Sequence, residues 1–172
     1  MRRLVKLFAP LLFIAPPLLG CVHAEGTHSN VAPPAIAEFG QSLTAMTPKF
    51  DSACERYEIR ELDPASLPIA QNSHVQVDCD GFRHAGSTRL AEFVFADDSL
   101  AFIWVLTGAE EEEALLQQLK ARYGQPTHDT ALFVAFADDN LALRRDIPEL
   151  LYYAEAVAPL YRGWFDQSAS GQ

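Results

Sequence analysis

The sequence predicts an α+β domain: an antiparallel sheet of about five to six strands, with helices packed mainly on one face. Three observations carry this expectation. His74-Val75-Gln76-Val77-Asp78-Cys79 alternates strictly between polar and apolar side chains, the period of a half-buried strand. Phe102-Ile103-Trp104-Val105 sits inside an apolar run at 100–106 that follows a turn, as in a strand covered on both faces. Leu115, Leu116, Leu119 and Tyr123 recur at helical spacing, after four glutamates at 110–113 and before Lys120, Arg122 and Gly124. That order of charge suits the helix dipole, and Gly followed by Pro126 stops the helix.

The remaining elements follow in chain order. Ile36, Phe39, Leu43 and Met46 predict a short amphipathic helix over 35–46, ended by Pro48. Segment 54–62 alternates Tyr57 and Ile59 with Arg56, Glu58 and Arg60, which favours an edge strand. The proline-rich stretch 63–68 is a loop. Strands at 74–79, 90–96 and 100–106 form an antiparallel meander, with turns at 85–88 and 97–99. Thr107 and Glu110 have the spacing of a capping box. A second hairpin spans 132–144, then a strand at 149–154 and a helix at 155–165. Phe95-Ala96-Asp97-Asp98-Ser99-Leu100-Ala101 matches Phe136-Ala137-Asp138-Asp139-Asn140-Leu141-Ala142 at six of seven positions. Two origins are open: a duplicated hairpin-plus-helix unit, or turns sharing Asp and Asn for the same local reason. The domain is expected over 35–166, with a flexible tether at 25–34 and a disordered tail at 167–172.

The N-terminus has the layout of an export signal. Arg2, Arg3 and Lys6 precede an uncharged run at 7–19, interrupted by Pro10, Pro16 and Pro17. The run is too short to span a bilayer, and its flanks fit a signal peptide over 1–24. Leu18-Leu19-Gly20-Cys21 resembles the lipobox of bacterial lipoproteins. That resemblance implies a lipidated Cys21 at the mature N-terminus and an outer-membrane lipoprotein facing the periplasm. Val22-His23-Ala24 offers an ordinary cleavage site instead, releasing a soluble periplasmic protein. Either route leaves Cys54 and Cys79 as a pair of thiols, expected to form a disulfide in an oxidising compartment.

Charge narrows the partners. Without residues 1–24 the chain has 10 basic and 23 acidic residues, a net charge of −13. Such a chain repels nucleic acid and anionic headgroups, so membrane contact is expected only through a lipid anchor.

The sequence nominates no catalytic centre, cofactor or metal. His74, Asp78, Asp80 and His84 have even separations and would share one strand face, but an unbroken strand would hold the two histidines ~33 Å apart. The Asp-Asp turns lack the ligand spacing of a calcium loop. Ser87 and Ser99 have no G-x-S-x-G around them, His128 stands alone, and no phosphate-binding glycine motif occurs. Three functional expectations result. The first is a non-catalytic binding or assembly protein of the envelope with a protein partner, its surface drawn from Tyr152, Tyr153, Tyr161, Arg162 and Trp164. The second is a periplasmic hydrolase using Asp78, Asp80, Asp97 or Asp98. The third is a small-ligand carrier lined by Phe93, Phe95 and Trp104.

Overall fold

The structure, a computed structural model, describes residues 31–171. The signal segment, Cys21 and residues 25–30 of the tether lie outside the described residues. Three helices and one antiparallel sheet make an α+β fold. The helices are α1 (Leu43–Ala53), α2 (Glu112–Tyr123) and α3 (Ala158–Ser170). The strands are β1 (Arg56–Leu62), β2 (His74–His84), β3 (Ser87–Ala96), β4 (Ser99–Leu106), β5 (His128–Asp129), β6 (Phe133–Phe136), β7 (Leu141–Arg144) and β8 (Glu149–Tyr153). Their order across the sheet is β1-β2-β3-β4-β8-β7-β6-β5.

The sheet therefore has eight strands rather than five to six. Two four-stranded meanders meet where β4 pairs with β8, through Phe102↔Tyr153 to Leu106↔Glu149. The two-residue β5 is too short to leave a periodic signal. The apolar run of β4 becomes a central strand, as its composition predicts.

Each face of the sheet has its own core. On one face α1 and α2 bury Met46, Phe50, Leu115, Leu116 and Leu119 against Val77, Phe93, Phe95, Ile103 and Leu150. On the other, α3 sets Ala158, Tyr161 and Phe165 against Phe102, Phe133, Leu151 and Tyr153. Two helices share a face and the third covers the opposite one. Because α3 packs on β5 and β6, among the described residues no α-helix covers β1–β3 on that face.

The first helix differs from its sequence expectation. It starts after Ser42, whose hydroxyl accepts from the Ala45 amide, and it contains Pro48 rather than ending there. A proline inside a helix costs about 3 kcal/mol. Full burial of Met46 and Phe50, one turn apart, contributes about 1.5–3 kcal/mol each, which outweighs it. The carbonyl that loses its partner belongs to exposed Thr44, where water can serve.

Cys54, at the end of α1, is disulfide-bonded to Cys79 in β2, with Cα atoms 5.3 Å apart. Loop entropy over the 25-residue separation is worth about 3.5 kcal/mol. The bond ties α1 to the sheet beside the edge strand.

Arg89 locks the junction between the two halves. Its guanidinium is buried and donates to the His84 and Leu106 carbonyls and to both Glu111 oxygens, at 2.8 and 2.7 Å. Glu111 also accepts from the Gly108 amide at 2.7 Å, so the capping pair is Gly108 and Glu111, one residue beyond the predicted Thr107 and Glu110. Arg89, then the Gly108 amide, holds the Glu111 carboxyl down to about 2.

Both ends of the domain extend past their sequence boundaries. Val31, expected in the tether, is fully buried. Its carbonyl accepts from the Tyr152 hydroxyl at 3.1 Å, and His84 Nε2 lies 2.8 Å from that same hydroxyl. With the tyrosine proton spent on Val31, the imidazole is the donor in this chain of bonds. At the other end α3 runs to Ser170, through most of the expected tail.

The two Asp-Asp hairpins are built differently. Asp97 and Asp98 both have positive φ, +50° and +58°, and form a two-residue turn between Ala96 and Ser99, the geometry of a type I′ hairpin. Ala137–Asp139 is instead a 3-10 turn, followed by left-handed Asn140. The shared sequence reflects residues that tolerate turns, not one repeated conformation.

Candidate functional site

The strongest candidate lies where α3 meets the uncovered half of the sheet. Helix α3 buries Tyr161 and Phe165, one turn apart, and this orientation leaves Leu160 and Trp164 at its flank, 39% and 37% exposed. Leu67 and Pro68 approach from the loop before β2. Between them runs an apolar groove of about 640 Å³, walled by Leu67, Phe102, Trp104, Leu160, Tyr161 and Trp164. Phe102, Trp104 and Tyr161 meet edge to face, with centroids 5.8–6.4 Å apart. Such contacts fix ring orientation and add about 0.5–1.5 kcal/mol per pair.

An ion-paired arginine braces the wall. Arg144 lies over Trp104 at 5.7 Å and over Trp164 at 5.9 Å from the ring centroids. Its guanidinium is held by Asp146 at 2.7 and 2.9 Å and by Glu149 at 3.0 Å. Arg144 and Glu149 are cross-strand partners in β7 and β8, so the sheet register alone sets them opposite each other. Glu149 is only 4% exposed. Burial pushes its carboxyl up to about 7; Arg144 opposes this, while Glu92 and Asp146 add to it. Glu92, in β3, is itself raised, by burial first and then by Asp78, against Arg60. A polar ladder from Arg60–Asp78 to Arg144–Glu149 thus crosses the sheet beside the aromatic groove.

The predicted partner surface is divided by the fold. Trp164 and Tyr161 line the groove. Arg162 is exposed and leans away toward Asp138 and the Ala137 carbonyl. Tyr153 is buried beneath Tyr161, with centroids 4.7 Å apart. Tyr152 is buried on the opposite face with His84 and Val31. Neither Tyr152 nor Tyr153 presents a surface, because in β8 successive side chains enter successive cores.

The four aspartates of the hydrolase expectation serve structural roles. Asp78 pairs with Arg60 at 2.8 Å and Asp80 with Arg56 at 2.8 Å. Asp97 accepts from the amides of Gln71, Asn72 and Ser73; those amides, Asn72 first, hold its carboxyl below the usual range. Asp98 accepts from the Leu43 amide at the start of α1. Ser66 Oγ lies 3.0 Å from His74 Nδ1, as a nucleophile lies from its base, but it is also 2.6 Å from the Asp63 carbonyl and donates there. Its proton is committed to the turn.

The carrier expectation also separates. Phe93 and Phe95 pack with Phe50 on the α1 face, while Trp104 packs on the α3 face. Trp104 is opposite Glu92, not Phe93, in the β3–β4 register. His74 and His84 do not share a face either. The register shifts between Cys79 and Phe82, at Gly81 with φ +75°, and His84 beyond it stacks on core Phe82. No group of three or more His, Cys, Asp or Glu side chains is placed to hold a metal among the described residues.

No family model, curated protein or solved structure matches the chain.

Sequence patterning alone does not single out Glu149, Arg144 and Glu92. One signal is present: Glu149 begins an otherwise apolar strand, Leu150-Leu151-Tyr152-Tyr153, five residues after Arg144. An acid and a base flanking a short turn between two apolar strands fall opposite each other in a hairpin.

Proposed function

We propose that the protein is a non-catalytic binding protein of the bacterial cell envelope, exported by its N-terminal signal and anchored by lipid on Cys21. Its binding site is the α3 groove, and its partner is a basic, apolar segment of another envelope protein. The observation that supports this most is the preorganised aromatic wall: Trp104 and Trp164 stand beside Arg144, which two carboxylates hold in place. Rigid aromatic side chains in a partly apolar groove are the residues that dominate protein recognition. The net charge of −13 beyond residue 24 favours a cationic partner and steers its approach.

Two measurements test this. Intact mass of the protein from its native envelope is expected to show cleavage before Cys21, a lipid adduct, and two thiols lost to oxidation. A photocrosslinker at Leu160 is expected to trap one envelope protein through a peptide that mass spectrometry identifies as basic and apolar. That adduct should vanish with Trp164→Ala and be absent from a crosslinker at exposed Leu132. Equal trapping from Leu160 and Leu132, or an acidic crosslinked peptide, overturns the assignment.

A further inference from the structure

We infer that strand β1 is a homodimerisation edge, pairing antiparallel with β1 of a second copy about Ile59 to join two eight-stranded sheets into one. β1 ends the sheet, and among the described residues no other element hydrogen-bonds to its outer side. It is seven residues long and paired without interruption to β2 over its whole length. Its centre, Ile59, is 44% exposed. Unpaired edges of this length are templates for strand addition, which proteins usually blunt with charge or irregularity.

Here the charges specify a partner instead. The strand reads Arg56-Tyr57-Glu58-Ile59-Arg60-Glu61-Leu62. Antiparallel pairing about Ile59 places Glu58 opposite Arg60, Tyr57 opposite Glu61, and Arg56 opposite Leu62. The Glu58–Arg60 pair occurs twice by symmetry, and no like charges meet. Shifting the centre to Glu58 sets Glu58 against Glu58 and Arg56 against Arg60. Shifting it to Arg60 sets Arg60 against Arg60. Parallel pairing in register stacks every charge on its own kind. Directly opposed like charges destabilise a sheet and opposite charges support it by about 0.2–1 kcal/mol per pair. The register centred on Ile59 is thus favoured over its neighbours.

The local ion pairs agree. Asp78 holds Arg60 through an ion pair at 2.8 Å and a hydrogen bond at 3.2 Å. Among the described residues Glu58 and Glu61 make no ion pair within the chain. Glu58 is therefore free to meet Arg60 of a second copy, and the two Ile59 side chains meet on the α1 face. The pairing is isologous, as a twofold dimer requires.

The experiment uses the full chain with Ile59→Cys, treated with a mild thiol oxidant and mapped by mass spectrometry. Opposed residues at the symmetry centre have Cβ atoms ~5 Å apart, close to the span of a disulfide. The expected result is a disulfide-linked dimer of the Ile59→Cys chain, joined through the introduced thiol of each copy. It should be at least tenfold more abundant than the dimer that Ile147→Cys, at another exposed position, forms under the same treatment. Adding Glu58→Arg, an exposed site, should cut the Ile59→Cys dimer at least fivefold by opposing two arginines. An Ile59→Cys dimer no more abundant than that of Ile147→Cys, or one indifferent to Glu58→Arg, overturns the inference. Neither outcome bears on the α3 groove, so failure here and failure of the proposed function are distinguishable.

Discussion

Glu149→Gln should remove the stability loss that Glu149 itself imposes as pH rises toward neutrality. The carboxyl is 4% exposed and raised from an ordinary 4.5 to about 7, chiefly by burial. The folded state therefore keeps a proton that the unfolded chain has released between these values. Unfolding releases that proton, so stability falls as pH rises through the window, and the loss is complete above about 7. Each tenfold change in proton affinity is worth ~1.4 kcal/mol, so the full effect is about 3 kcal/mol. Glutamine keeps an oxygen for the Arg144 hydrogen bond and cannot titrate. The assay is denaturant unfolding of wild type and variant from pH 4 to pH 8, with the disulfide intact. The stability difference, variant minus wild type, is expected to grow by about 3 kcal/mol between pH 4.5 and pH 8. Taking the difference cancels every group the two chains share. A difference that stays flat to within about 0.5 kcal/mol, the resolution of such comparisons, would refute a buried, proton-retaining Glu149.

Other perturbations test separate parts of the fold. His84 is held down to about 4 by burial first and by Arg89 second, so the unfolded chain binds a proton that the folded one refuses between pH 4 and 6.5. The stability difference, wild type minus His84→Gln, should fall by about 3 kcal/mol on acidification through that window; a difference that stays flat argues against a neutral, buried imidazole. Cys54→Ser with Cys79→Ser should cost about 3.5 kcal/mol in urea unfolding, and a loss below about 1 kcal/mol would mean that the loop is already constrained without the bond. Glu111→Ala strands the buried Arg89 guanidinium and should cost about 3 kcal/mol; Arg89→Met with Glu111→Ala should recover part of it, and no recovery would count against an uncompensated charge as the cause.

Periodic elements are legible in the sequence because burial imposes the period. β2, β4 and α2 announce themselves through alternation, an apolar run and a capped stripe. Three features are not legible, each for a physical reason. Pro48 reads as a stop because its cost is local, while the burial of Met46 and Phe50 that offsets it comes from the sheet. Val31 reads as tether because a single valine after a polar run carries no pattern; only the Tyr152 and His84 bonds reveal that it is seated. His84 reads as sharing a face with His74 because a bulge at Gly81 inverts the alternation, and one glycine does not announce which of its allowed conformations it will take.

The same limit explains the repeat and the groove. The matching heptapeptides set the β3–β4 hairpin against the β6–β7 hairpin. The chain order repeats differently: helix α1 then a four-strand meander, helix α2 then another, with both helices in one core and β4 against β8 at the centre. In that order β3–β4 corresponds to β7–β8, one strand out of step with the sequence match. Turn chemistry can therefore recur without marking equivalent places, and strand order is the better guide to internal symmetry. α3 stands outside the repeated order and covers the opposite face. It shields only part of that face, so its edge beside Trp104 is where an apolar wall meets the polar ladder of Glu92, Arg144 and Glu149. The two meanders are alike in order and unlike in cover, and the groove exists because of that inequality.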